Sequence, residues 1–285
     1  MRPFLAVLCG ALLFVACSSS SSSSTPNDVV DAGSSSSGTS SSGGTNPPSN
    51  PFSADAAVPV TKIAIEIDYQ AGAEPYTGSS PLLGDPWSLF KTNSTKLFEN
   101  TGKTIDVPTT LDRMEKLTDI VGTSFDSAAI LAIAAKHRTV TTSGDTIGYY
   151  FLWLDGTYVE NGAENKNVLG VSLGNTGVLA MFKPVIKGAG PSSGPLLGDD
   201  LDAAVEQTVL VHEFGHAVGL VNNGVALTSQ HQDTAHGAHC SNQDCVMYWT
   251  VDGSQAAGDY VKRRVTGGNS VLFADDCLAD IRAAR

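Results

Sequence analysis

Apolar and polar side chains alternate over residues 60–69, with Ile63, Ile65 and Ile67 set against Lys62, Glu66 and Asp68. A period of two predicts a strand with one buried face. Asp85-Pro86 opens a predicted helix that runs to about residue 100, with Asp as N-cap and Pro at the first helical position. A second helix, rich in Ala and Ile, starts after Ser124 or Asp126 and reaches residue 138. Residues 147–154 form a dense apolar and aromatic strand that stops at the turn pair Asp155-Gly156. Two further strands are predicted at 168–172 and 178–186. Pro184 places the second at a sheet edge, because it has no N–H to give to a ladder. A Gly/Pro/Ser loop at 187–198 leads to a third helix at 202–218, and a short helix begins near residue 274. Strands and helices alternate early, and little regular structure follows the long helix. That order predicts an α/β fold with an irregular C-terminal subdomain.

The first fifty-odd residues do not share this pattern. Arg2 precedes an apolar run from Phe4 to Ala16, and Cys17 follows directly. Such a run is too short to span a bilayer as a helix and reads as the core of a signal peptide. Phe14-Val15-Ala16-Cys17 resembles a bacterial lipobox, which implies lipidation of Cys17 and loss of Cys9 with the leader. Ser, Gly, Thr, Asn and Pro then dominate to about Pro51, a composition that cannot bury enough surface to offset its ordering entropy. The expected organisation is a lipoprotein signal peptide at 1–16, a tether at 17–57 and one folded domain at 58–285. Ser18 after the cysteine favours an exported chain anchored at the outer membrane or cell surface.

Composition narrows the partners. The 285 residues are 41% hydrophobic, enough for a sizeable core, and carry a net charge of −12. An acidic chain lacks the basic face that a phosphate backbone needs, so nucleic acid is not expected as a partner. Five cysteines are too few for a disulfide scaffold of this length.

The chemistry is concentrated in one place. Five of the six histidines fall between His212 and His239. His212-Glu213-Phe214-Gly215-His216 is an HExxH segment on the third predicted helix. Spacing of i, i+4 puts both imidazoles on one face, where they can hold a single zinc ion with Glu213 beside its open position. Gly219 is placed to end the helix. His137, near a helix end, suits a solvent or dipole role instead.

His212 to Leu220 resembles the start of the metzincin signature HExxHxxGxxH. The third histidine of that signature would fall at position 222, where this chain has Asn222. Downstream, His239-Cys240 with Cys245 and Met247 resembles the archaemetzincin ending, in which a histidine precedes Cx4CxM. The resemblance implies a zincin fold, with a twisted mixed sheet against the active-site helix and strand 178–186 bordering the cleft. It implies one catalytic Zn²⁺ held by His212, His216 and a third histidine, with Met247 in the Met-turn beneath. His239 ranks first as that third ligand, then His236 and His231, with Asp233 suited to orienting a ligand. The family's four-cysteine second zinc site cannot form here, because Cys277 is the only further cysteine. A Cys240–Cys245 disulfide is expected instead, with Cys277 free or paired otherwise.

The expected function is a zinc-dependent endopeptidase acting on a peptide or protein substrate, with Glu213 as general base. Two rivals remain at this level: a non-catalytic metal-binding surface lipoprotein, and a zinc hydrolase acting on a cell-wall amide.

Overall fold

The structure is a computed structural model that describes residues 51–52, 59–79, 84–189, 198–265 and 267–284. The signal segment, Cys17, nearly all of the tether and most of the Gly/Pro/Ser loop lie outside them. Phe52, within the expected tether, stacks on Phe98 with ring centroids 5.9 Å apart.

The first half of the chain supplies β1 (Lys62–Gln70), α1 (Trp87–Phe98), β2 (Thr104–Asp106), β3 (Glu115–Leu117), β4 (Ser124–Phe125), α2 (Ser127–His137) and β5 (Thr146–Leu154). Then come β6 (Thr157–Glu160), β7 (Ala163–Asn165), β8 (Gly170–Ser172), β9 (Val178–Phe182), α3 (Lys183–Lys187) and α4 (Asp199–Ala217). The C-terminal part holds β10 (Gln232–Asp233), β11 (His239–Cys240), α5 (Ser254–Arg264) and α6 (Asp275–Ala283), separated by loops and short 3-10 turns.

The alternation in β1 buries Ile63, Ile65, Ile67 and Tyr69. This strand pairs in parallel with β5 from Lys62↔Thr146 to Tyr69↔Trp153, and with β2 and β3 along its other side. β5 pairs in parallel with β9, and β9 pairs antiparallel with β8, which ends the sheet. The result is a mixed sheet, mostly parallel with one antiparallel edge. A second, small sheet has the order β4-β6-β7. Ile147 to Leu154 are all buried, as expected where both faces of a strand are covered.

Several expected boundaries shift. The strand expected at 178–186 ends at Phe182, and it is internal to the sheet rather than at its edge. Pro184 sits in the first turn of α3, where a missing N–H costs nothing. The edge role passes to β8. Asp126, not Ser124, caps α2 by accepting from Ala129 N at 2.8 Å, while Ser124 belongs to β4. Asp85 Oδ1 accepts from Trp87 N at 3.1 Å and starts α1.

Helix α4 is buried along most of its length. Phe214 fixes it to the sheet: its ring lies 5.3 Å from Phe90 and Tyr149, 5.9 Å from Phe151 and 6.2 Å from Phe98. A buried ion pair, Lys183 Nζ to Glu206 Oε2 at 2.6 Å, ties α3 to the same helix, and Glu206 also accepts from Tyr76 N. Truncating Phe214 would open a cavity at the helix–sheet contact. Phe214→Ala should therefore cost about 3–5 kcal/mol, read as a lower urea midpoint, and a loss below about 1 kcal/mol would show that α4 is held by other contacts.

Candidate metal centres

Helical spacing brings His212 Nε2 and His216 Nε2 to 3.0 Å from each other. His239 arrives from outside the helix, on β11, which pairs antiparallel with β10 in the register Asp233↔His239. Its Nε2 lies 3.3 Å from His212 Nε2. All three imidazoles are buried.

Backbone carbonyls decide how two of these rings face the site. His212 Nδ1 lies 2.6 Å from Val246 O, and His239 Nδ1 lies 2.5 Å from His236 O. A carbonyl can only accept, so each Nδ1 carries a hydrogen and Nε2 is the nitrogen left to face the site. Burial, and then His212 and His239 beside it, hold His216 well below the ordinary histidine range. A carboxylate joins them: Asp252 Oδ1 is 2.7 Å from His212 Nε2, and Oδ2 is 3.0 Å from His239 Nε2. The four donor atoms all lie within 4.8 Å of one another. Donors crowded this closely repel unless protons or a metal cation sit among them. Tetrahedral zinc bonds of about 2.0–2.1 Å would set neighbouring nitrogens about 3.3 Å apart, close to the spacing seen. These residues fit a divalent zinc-like ion.

Two glycines make room for this arrangement. A Cβ on Gly215 would lie 2.3 Å from Met247 Sδ, so glycine is the residue that lets the methionine pack under the histidine-bearing turn. Met247 is fully buried. Its segment is pinned by Val246 N to Leu272 O at 2.9 Å and by Cys240 N to Met247 O at 2.7 Å. A Cβ on Gly170, at the start of β8, would meet Glu213 Cγ at 3.0 Å. Glu213 thus lies against the edge strand and is 3% exposed.

The helix ends as its sequence implies. Gly219 has φ 94° and turns the chain away after Val218. Asn222 follows at φ 62°, a left-handed position that Asn tolerates, and its side chain reaches Gln232 Oε1 at 3.3 Å. Position 222 belongs to an outward turn. Of the other candidates, His236 stacks on Trp249 at 4.3 Å and bonds Asp233 Oδ2 through Nδ1 at 2.7 Å. Asp233 therefore orients His236 and not the clustered imidazoles. His137 lies 3.3 Å from Asp119 near the end of α2, away from the site.

His231 belongs to a second cluster, and here the expected Cys240–Cys245 disulfide is corrected. Cys240, Cys245 and Cys277 are all free thiols and all buried. Cys245 Sγ faces Cys277 Sγ at 3.6 Å, a contact between thiols rather than a bond. His231 Nε2 is 2.7 Å from Asp280 Oδ2, which leaves Nδ1 facing Cys240 Sγ at 3.5 Å and Cys277 Sγ at 4.0 Å. Hydrogen bonds from Cys245 and Cys277 pull the Cys240 thiol well below its ordinary range, toward the thiolate that ligates metal. A tetrahedral zinc with bonds of about 2.3 Å to sulfur sets sulfurs about 3.8 Å apart, close to the Cys245–Cys277 spacing, and His231, Cys240 and Cys277 offer donor atoms within 4.8 Å of one another. One metal site was expected, and the described residues offer two.

Sequence reasoning missed Asp252 and the role of the cysteines. Nothing local marks Asp252 beyond a carboxylate five residues after Met247. For the cysteines a usable signal existed: three thiols and a histidine gather within a short span and one helix, and an odd thiol count suits ligation better than pairing.

No protein-family model matches the chain, and no curated protein matches it. Among solved structures it is similar to a zinc-dependent peptidase from Methanocorpusculum labreanum, with a TM-score of 0.41 and 15% identity over 77% of this chain and 99% of that one. It is also similar to archaemetzincin from Methanopyrus kandleri, with a TM-score of 0.38 and 14% identity over 79% of this chain and 95% of that one.

Gly215→Ala would drive a methyl group into Met247 Sδ. The expected cost is about 1–3 kcal/mol, seen as a lower melting temperature with weaker metal retention. A neutral result would mean that Met247 is free to move aside.

Proposed function

We propose that the chain is a zinc-dependent peptidase of metzincin type, with His212, His216 and His239 as metal ligands and Glu213 as general base. The observation that carries this reading is the convergence of three Nε2 atoms, two with their tautomer set by backbone carbonyls, next to the one glutamate of an HExxH turn. Zinc bound there would lower the pKa of water toward neutrality and polarise a scissile carbonyl. Glu213 takes the proton from the attacking water and passes it to the leaving nitrogen. Val246 and His236 keep two of the imidazoles in the tautomer that ligation needs. The edge strand β8 ends the sheet beside Glu213, and its unshared side suits an extended peptide added as a further strand. This replaces strand 178–186 as the substrate-facing edge.

The reading includes a second, structural zinc at Cys240, Cys245, Cys277 and His231, with Asp280 orienting the imidazole as ligand-bound histidines usually require. It also includes export of the chain and its attachment to a membrane through Cys17. The sequence pattern alone supports that part.

Glu213→Gln should keep its zinc and lose turnover of a denatured protein substrate by about 10²–10⁴-fold. Unchanged turnover would overturn the mechanism. Elemental analysis of the purified chain should find two zinc ions per molecule. Cys277→Ala should retain one of them and melt at lower temperature, whereas full zinc content in that variant would remove the second site.

A further inference from the structure

The metal centre holds one donor more than a hydrolytic site needs. Three protein ligands leave the fourth position of a catalytic zinc for water, while closed four-ligand sites are structural. Here Asp252 supplies a fourth candidate donor beside the three imidazoles. Its two oxygens address two different imidazoles, Oδ1 at 2.7 Å from His212 Nε2 and Oδ2 at 3.0 Å from His239 Nε2. Those nitrogens are the ones left facing the site, because Nδ1 of each ring lies against a backbone carbonyl. Three imidazole nitrogens and a carboxylate oxygen within 4.8 Å of one another are spaced for one shared cation.

The segment that delivers Asp252 supports the same conclusion. Asp252 ends the 3-10 turn Trp249–Asp252, and Val251 within it is fully buried. Trp249 stacks on His236, with planes 3° apart, and the carbonyl of His236 orients His239. The carboxylate and the third imidazole therefore come from two segments that pack against each other. Asp252 is 14% exposed, so it stands where the buried centre meets solvent.

We propose that Asp252 is a fourth protein ligand of this metal, and that it keeps the loaded centre closed until it swings away and water enters. The exchange breaks one carboxylate–metal bond and forms one water–metal bond, with no redox change. The latency rests on the peptidase reading; the ligation does not.

The test compares the full-length protein with Asp252→Ala and with Asp252→Asn, which keeps the volume but offers only a weakly ligating amide. Competition with a chromophoric zinc chelator should show one of the two zinc ions bound roughly tenfold or more weakly in both variants. Acetohydroxamate, which binds at open metal positions, should bind both variants more tightly than the parent protein, and turnover should rise at saturating zinc. Unchanged zinc affinity in both variants overturns the ligation. Weaker zinc binding without tighter acetohydroxamate binding overturns the closure. If both binding results hold and no variant cleaves protein, the ligand assignment stands and the peptidase reading falls.

Discussion

Everything at the candidate metal centre depends on how one helix is seated. Phe214 fills the space between α1 and β5, touching Phe90, Phe98, Tyr149 and Phe151 at once. The residues two before and two after it carry the imidazoles. A helix places such neighbours on the opposite side from their midpoint, so an apolar anchor on one face sets the position of the polar face. The sheet thus serves as a template. Its most buried strand, β5, supplies the flat aromatic surface on which the ligand-bearing turn is levelled.

The parts of the fold and site that were legible in sequence are those set by local periodicity. Alternation in β1 and the i, i+4 spacing of His212 and His216 are properties of a single element, and the structure contains both. What local pattern could not give is chain reversal. His239 reaches the helix across a long insertion, and position 222 could be dismissed only by seeing its left-handed turn. Pro184 misled for a similar reason. A residue without an amide hydrogen suits a sheet edge and a helix start equally, and only tertiary context selects between them. The cysteines show the limit most plainly. Spacing does not distinguish two thiols that pair from two that share a third partner, and that partner, Cys277 on α6, is remote in sequence.

The two clusters are built from overlapping segments. Val246, Met247 and Cys245 are consecutive: one orients His212, one packs on Gly215, and one joins the thiols. Leu272 O receives the amide of Val246, and the stretch that follows leads into α6 with Cys277 and Asp280. The irregular C-terminal region has little periodic structure because its order comes from these specific side-chain meetings rather than from a ladder of backbone bonds.

Strand β11 is only two residues long, and those two are His239 and Cys240. Adjacent residues of a strand point to opposite sides. One side meets the imidazoles and the other meets the thiols, so this dipeptide works as a partition wall with a different fitting on each face. A slip of one residue would exchange the fittings, presenting sulfur to the histidines and imidazole to the cysteines. The register is locked by Cys240 N to Met247 O and by Ser241 N to His231 O, both 2.7 Å, so each cluster receives its own kind of donor. The wall also joins the two compartments, because the donors on its two faces belong to consecutive residues that share one peptide unit.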